Sequence, residues 1–192
     1  MRLHFLGTGG YHPNERRHTT CVLLPDLGVI FDAGTAFFRV AERLRTDRVQ
    51  IFLSHAHLDH VVGLTYFIVP LLKGQVKSVE VFSDEKYLTA IREQLCSELL
   101  FPAPLAFTFS VLPEKVYLPD GGVLTHCPLK HPGGSIGYRI DWPDRSLAFI
   151  TDTTLPAPGA VFYYLVRPNA PHKGSWGQKS DGSPRVGGCL PS

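Results

Sequence analysis

Several features that would indicate a membrane-bound or exported protein are missing from this 192-residue sequence. No apolar run reaches the length of about 20 residues that a membrane-spanning helix needs. The chain begins directly with the strand-like segment 2–6 and shows no apolar signal-peptide core. These absences favour a cytoplasmic protein that makes no membrane contact.

The net charge, the cysteine pattern and the glycine-rich stretch argue against further classes of protein. The formal net charge is only +2, which by itself argues for neither a nucleic-acid surface nor a membrane surface. The four cysteines form no C-x-x-C pair and no short disulfide framework, and two of them lie in apolar strand-like runs. Buried thiols in a reducing compartment are the simplest interpretation. No Gly-Lys-Ser/Thr follows the glycine-rich stretch 7–10, which excludes a phosphate-binding P-loop.

The alternation of apolar runs and turn formers predicts a mixed α/β domain, and not a simple doubly wound sheet, because strands outnumber helices. The predicted order up to residue 129 is β-β-β-α-β-α-β-α-β-β-β, and another strand is expected at 146–150. Near the C-terminus turn formers crowd together and periodicity stops. We therefore divide the chain into a domain at 1–160 and an irregular tail at 161–192, although 161–165 could form one more strand.

The most informative stretch is Ser-His-Ala-His-Leu-Asp-His at residues 54–60. It follows the apolar run 49–53, which predicts a buried strand, and it precedes apolar residues spaced as in a helix. His55 and His57 are two residues apart in extended backbone, so their side chains are expected to point the same way. Asp59 and His60 follow where the chain turns. Three imidazoles and a carboxylate suit Zn²⁺, Mn²⁺ or Fe²⁺ better than they suit a polar loop that merely precedes a helix.

This stretch resembles the H-x-H-x-D-H signature of the metallo-β-lactamase superfamily, and the motifs around it resemble those of its ribonuclease Z-like branch. The branch motifs are Phe5–Gly10, Phe31–Gly34 and Gly63–Leu64. The resemblance covers residues 1 to about 155. It implies an α/β fold of the αβ/βα sandwich type, which we expect to be incomplete in its C-terminal half.

The resemblance also implies two divalent metal ions, with zinc expected first and manganese or iron as alternatives. His131 begins the segment H-P-G-G-S-I-G-Y-R, which is similar to the family's third histidine motif, and Asp152 matches an aspartate that the two ions share. The implied ligand sets are His55, His57 and His131 for one ion and Asp59, His60 and Asp152 for the other. Asp59 is in addition the candidate catalytic residue, which would orient or deprotonate the attacking water.

Alternatives stay open at several positions. Asp32 either supports a metal ligand without binding the ion or caps the helix that follows it. His126 competes with His131, although it lies inside a strand run five residues before the motif. Asp152 could be an ordinary turn residue at a strand end. The basic loop 11–18 is either a solvated loop or one that faces an anion at the rim of the site.

The expected function is hydrolysis of a phosphodiester with the help of two metal ions, and its specific version is transfer-RNA 3′ processing. Segment 70–115 has the pattern of strands and helices that belong to the domain itself, and it does not resemble a separate RNA-binding arm. The alternative is therefore hydrolysis of a small phosphodiester, an ester or a lactone. A metal-binding but inactive domain is a third hypothesis, because the family's further C-terminal histidine ligand has no evident counterpart, and His172 is the only histidine after Asp152. The expected partner is RNA or a small phosphodiester, and a homodimer is left open. A fragment, a divergent short form or a misread 3′ end would each explain the tail.

Overall fold

The computed structural model describes residues 1–153 and the backbone of residues 163–168. The chain divides into two compact units, Met1–Leu112 and the residues from Pro113 onward. Each unit has a sheet of its own, and the division into a domain at 1–160 and a tail at 161–192 stays a prediction.

The first unit is built on a six-stranded sheet whose strands lie side by side in chain order. They are β1 (His4–Gly7), β2 (Cys21–Leu24), β3 (Val29–Phe31), β4 (Arg48–Phe52), β5 (Ser78–Ser83) and β6 (Phe107–Val111). The pairs β1–β2 and β2–β3 are antiparallel, and the pairs from β3 to β6 are parallel. Every residue of β2 and β3 is buried, which is why both read as continuous apolar runs without alternation.

Short helical segments connect these strands. They are a 3₁₀-helix (Thr35–Arg39), α1 (Leu58–Val61), a second 3₁₀-helix (Val62–Phe67), α2 (Ile68–Leu72), α3 (Glu85–Ala90) and a π-helical turn (Ile91–Leu95). The sequence predicted a single helix after Leu58, and the segment is indeed helical throughout, but it tightens at Val62. The N–H of Gly63 donates to the carbonyl oxygen of Ala33 at 2.8 Å, outside the helix, so tertiary contact interrupts the α-helical pattern there.

The core of the first unit holds both flanks of the histidine stretch. The rings of Phe37 and Phe67 pack edge to face with centroids 4.9 Å apart. Ile51 of β4, Leu53 and Leu64 belong to the same core and have no exposed surface. Full burial of such side chains contributes about 1.5–3 kcal/mol each. The strand before the stretch and the helical segment after it are therefore both fixed by apolar packing.

The second unit contains a five-stranded antiparallel sheet in the order β11-β10-β9-β8-β7. Its strands are β7 (Val116–Tyr117), β8 (Val123–Leu129), β9 (Ser135–Asp141), β10 (Arg145–Ile150) and β11 (Tyr163–Pro168). The predicted strands at 115–118, 122–129 and 146–150 agree with β7, β8 and β10. Because β11 pairs with β10, six residues of the region that we predicted as irregular are regular backbone. The rest of segment 161–192, including His172, lies outside the described residues.

Two further expectations can be compared with the structure. Cys21 is a buried free thiol, as predicted, and Cys96 is a partly buried one. Cys127 of β8 is disulfide-bonded, so the prediction of a thiol is wrong at that position. In the part of the chain that the structure describes, no helix has both the length and the apolar character needed to cross a bilayer.

Candidate metal centre

Three imidazoles and a carboxylate converge at the carboxyl end of β4. His55 and His57 lie in the loop after this strand, and His57 is the residue immediately before α1. The rings of His55 and His57 have centroids 4.4 Å apart, and those of His55 and His60 lie at 4.3 Å. His55 and His60 are each 1% exposed, and Asp59 is 9% exposed. The local fold of the first unit thus brings four predicted ligands together.

A buried carboxylate lies beneath two of these ligands. Asp32 has no exposed surface, and its oxygens accept hydrogen bonds from the Ser54 backbone N–H at 2.7 Å and the Ser54 hydroxyl at 2.8 Å. The Nδ1 atom of His60 lies 2.7 Å from the same carboxylate. The residue that precedes the following 3₁₀-helix is Gly34, not Asp32, so the alternative of a helix cap is not what the structure describes. Asp32 instead orients the loop that carries the ligands.

This network assigns the protons of the two buried imidazoles. The Ser54 hydroxyl has one proton, which it donates to Asp32, so its contact of 3.0 Å with Nδ1 of His55 requires the imidazole to be the donor. His60 likewise donates its Nδ1 proton, because an ionised carboxylate can only accept. In both neutral rings the lone pair then lies on Nε2. Such a carboxylate–histidine pair is the usual support of a metal ligand, so these residues fit a divalent ion.

A second contact in the first unit also fits a cation. Nε2 of His60 lies 3.3 Å from the Oδ2 atom of Asp59. With the His60 proton on Nδ1, both atoms are electron-pair donors, and two donors at this separation repel each other unless a proton or a metal ion lies near them. Imidazole nitrogen and carboxylate oxygen are both ligands that Zn²⁺ accepts.

The buried position of Asp32 has two further consequences. Burial raises the pKa of the neighbouring Cys21 thiol well above its ordinary value, and the charge of Asp32 raises it further, so this thiol stays neutral. Asp32 also has a positive φ of 57°, a left-handed conformation that Asp and Asn tolerate better than other side chains. Asp32 therefore provides both the left-handed backbone conformation after β3 and the acceptor for Ser54 and His60.

Two glycines allow the Asp32 loop to pack directly on the ligand helix. A Cβ atom at Gly34 would lie 2.3 Å from the carbonyl oxygen of Asp59, and one at Gly63 would lie 2.4 Å from the carbonyl oxygen of Gly34. The N–H of Ala33 donates to the carbonyl oxygen of His60 at 2.7 Å. These backbone contacts explain why the motifs around the histidine stretch contain glycine.

The remaining predicted ligands belong to the second unit. His131 starts the turn between β8 and β9, in which Gly133 and Gly134 both have positive φ. Asp152 follows β10, and its Oδ2 atom lies 3.7 Å from Nε2 of His131. The competing residue, His126, points its Nε2 atom at the carbonyl oxygen of Pro113 at 3.1 Å. Within this unit it is thus His131, and not His126, that lies beside Asp152.

Sequence reasoning missed the part played by two residues. Ser54 links Asp32 to His55, but a serine at the start of the stretch carries no pattern that predicts such a link. Tyr11 lines the same cavity as His57 and Asp59, with Ala56 and Leu58. Its signal was weak, since the loop 11–18 was interpreted only through its basic residues.

Comparison with known proteins places the chain among relatives of similar sequence. The family described as Beta-lactamase superfamily domain matches residues 28–161. Ribonuclease Z of Acaryochloris marina (strain MBIC 11017) is 29% identical over 166 residues, which cover 81% of this chain and 52% of that protein. Ribonuclease Z of Nitrosopumilus maritimus (strain SCM1) is 26% identical over 154 residues, covering 76% and 50%. The chain therefore spans about half the length of the curated relatives that it matches.

A solved structure extends the comparison to the fold. The short form of human tRNase Z superposes with a TM-score of 0.59 and 22% sequence identity, over 78% of this chain and 68% of that one. At this level of identity the likeness concerns the fold.

Proposed function

The chain belongs to the metallo-β-lactamase superfamily, in its ribonuclease Z-like branch, and we propose that it is a metal-dependent hydrolase that cleaves a phosphodiester. The predicted fold class, the α/β metallo-β-lactamase-type fold, is confirmed by the same comparisons. The observation that carries the proposal is the buried carboxylate–serine–histidine network, which presents the Nε2 lone pairs of His55 and His60.

The proposed centre holds two divalent ions, zinc in the first instance. We assign His55, His57 and His131 to one ion and Asp59, His60 and Asp152 to the other, following the order of the ligand motifs in the family. When bound, such ions act as Lewis acids that lower the pKa of water towards neutrality and stabilise charge on phosphoryl oxygens. Manganese and iron have the same preference for imidazole and carboxylate and remain alternatives.

The roles of the protein groups follow from their contacts. Asp32 keeps the protons of His55 and His60 on Nδ1 and so keeps both rings in one orientation. Asp59 is buried to 9% exposure and lines an open cavity, so its carboxylate can accept the proton of an attacking water or orient that water. His57 lines the same cavity and is the exposed one of the four candidate ligands in the first unit.

The specific version of this proposal is cleavage at the 3′ side of a transfer-RNA precursor. Relatives named Ribonuclease Z support it. Residues 70–115 contain β5, α3 and β6, which belong to the unit's own sheet and the segments beside it, and this favours hydrolysis of a smaller diester as the second candidate. Four further expectations stay predictions of the sequence. They are an ester or lactone as substrate, a metal-binding but inactive domain, a homodimer and a cytoplasmic location.

Hydrolysis of bis(p-nitrophenyl) phosphate tests the reaction class. We expect turnover with zinc, its loss with a chelator, and its return when zinc is added. Asp59→Ala should lower kcat by about 100-fold or more, a typical loss for a general base, while His55 and His57 keep the first ion. Turnover that survives the chelator, or an Asp59→Ala variant with full activity, would contradict the assigned chemistry.

Substrate class is tested with the same preparation. A transfer-RNA precursor with a 3′ trailer, a cyclic nucleotide and a lactone are compared at equal enzyme concentration. Cleavage of the precursor at the end of the acceptor stem supports the specific version, and preference for the cyclic nucleotide or the lactone supports the alternatives. Two bound ions with no turnover on any of them would indicate the inactive domain.

A further inference from the structure

A cavity beside the candidate ligands has apolar as well as polar walls. It lies within the first unit and has a volume of about 460 Å³. Five residues line it: Tyr11, Ala56, His57, Leu58 and Asp59. The volume falls within the range of about 300–1,000 Å³ that is typical of small-molecule sites. Of these five residues only His57 and Asp59 are candidate metal ligands. The proposed metal chemistry therefore gives no role to the remaining three.

Two of these walls are large apolar side chains that face water. Tyr11 is 83% exposed and Leu58 is 66% exposed. Exposed apolar side chains next to polar functional groups commonly mark a surface that binds a ligand. An aromatic ring and an isobutyl group beside the proposed metal centre suit a ligand that joins a flat apolar part to an anionic one.

The loop that carries Tyr11 is tied down at its base. The N–H of Gly9 donates to the carbonyl oxygen of His18 at 2.8 Å. Next to it, the Thr19 N–H donates to the Thr35 hydroxyl at 2.9 Å, and the Thr35 N–H donates to the Thr19 hydroxyl at 2.7 Å. A loop closed in this way presents its side chains at little further entropic cost on binding.

We propose that Tyr11 and Leu58 form a base-binding wall, on which the nucleobase next to the scissile phosphodiester stacks. This inference rests on the proposed phosphodiesterase function. Nucleobases stack on aromatic side chains whatever their identity, which gives a nucleotide preference without a sequence preference. The exposed side chains of Arg16 and Arg17 lie on the same loop and add positive charge for neighbouring phosphates.

Equilibrium binding tests the wall without any need for turnover. The zinc-loaded full chain is titrated with adenosine 5′-monophosphate and with ribose 5-phosphate, which has the same phosphate and sugar but no base. We expect the nucleotide to bind about tenfold more tightly, as expected for one stacked base. Tyr11→Ala should remove this preference, and Tyr11→Phe should keep it because the ring remains. Leu58→Ala should reduce the preference in part.

A matched control is available in the second unit. Tyr117 of β7 is 75% exposed, and Tyr117→Ala should leave both affinities unchanged. Equal binding of the two ligands by the unaltered protein, or a preference that survives Tyr11→Ala, would overturn the wall. Base-dependent binding that needs Tyr11, together with no hydrolysis of any diester, would support the wall and contradict the proposed reaction. Zinc content is measured in every variant, so that a lost ion is not mistaken for a lost stacking contact.

Discussion

In the first unit two of the four candidate ligands, His55 and His60, are hydrogen-bonded to a buried network, whereas in the second unit both candidate ligands lie at the ends of strands. Asp32 is completely buried and holds Ser54 and His60 through short hydrogen bonds. In the second unit, the side chains of His131 and Asp152 are 17% and 18% exposed and lie 3.7 Å apart. A ligand on a buried network is oriented before any ion binds, while a ligand at a turn gains more of its order from the ion itself. The first unit should therefore dominate both stability and metal affinity.

The largest effect is expected from Asp32→Ala. The change leaves the buried groups of Ser54 and His60 without their acceptor and puts alanine at a positive φ, so we expect a loss of about 3–5 kcal/mol in the free energy of unfolding. Urea unfolding of the zinc-free protein measures it. The matched control is Asp144→Ala, since the Asp144 side chain is 60% exposed and its ion pair with Arg145 should contribute little. Equal losses in both variants would contradict the special position of Asp32.

Asp32→Asn separates the charge from the backbone conformation. Asparagine tolerates the same φ, but only one of its two side-chain atoms can accept hydrogen bonds. It therefore cannot satisfy both the Ser54 N–H at one oxygen position and the Ser54 hydroxyl with His60 at the other, and the network that orients the imidazoles loses an acceptor. We expect zinc affinity to fall about 10–100-fold, the usual cost of removing such a support. Competition with a chelator of known affinity measures this fall. Unchanged affinity would show that the carboxylate is not needed to hold the tautomers.

A smaller loss is expected from Gly34→Ala. The new Cβ atom would lie 2.3 Å from the carbonyl oxygen of Asp59, so the loop or the ligand helix must move, at a cost of about 1–3 kcal/mol. Gly10→Ala is the control, because a Cβ atom there meets nothing within 4 Å. Thermal unfolding of the two variants gives the comparison. A Gly34→Ala variant as stable as Gly10→Ala would mean that the close approach does not matter.

Substitution of a candidate ligand in the second unit should lower the number of bound ions and should hardly change the stability of the protein. His131→Ala should leave the free energy of unfolding of the zinc-free protein within about 0.5 kcal/mol, as is usual for partly exposed positions, and should lower the bound zinc. His126→Ala removes the competing histidine and should keep the full zinc content. Elemental analysis after zinc loading and gel filtration distinguishes them. The reverse result would assign the ligand to His126. For comparison, His57→Ala should remove most of the first ion.

The smallest effect is expected at the C-terminal end. We expect His172→Ala to change neither the zinc content nor the melting temperature, because the sequence around this residue predicts no strand or helix to hold it. A chain cut after Pro168 keeps β11 and should behave in the same way. Loss of one ion in both variants would show that His172 is a ligand.

The strands were easier to predict than the helices, and the reason is physical. Strands such as β2 and β3 are short apolar runs on either side of a turn, and their pattern is local. The segment after Leu58 was predicted as a single helix, but the structure describes a 3₁₀-helix within it. Contact with a distant residue, the hydrogen bond from Gly63 to Ala33, interrupts the α-helical pattern there, and no local pattern reports such a contact.

The sequence by itself determined which residue types meet at the end of β4, because three histidines and an aspartate within six residues must share one loop wherever that loop lies. It also determined the mixed α/β class, through the periods of its apolar residues. Only the tertiary structure decided what lies beneath the ligands. Asp32 and Ser54 are 22 residues apart, and their hydrogen bond exists because β3 and β4 are parallel neighbours whose carboxyl ends meet. The tertiary structure likewise decided the position of Tyr11, which is separated from His57 in sequence by β2, β3 and β4 and yet lines the same cavity.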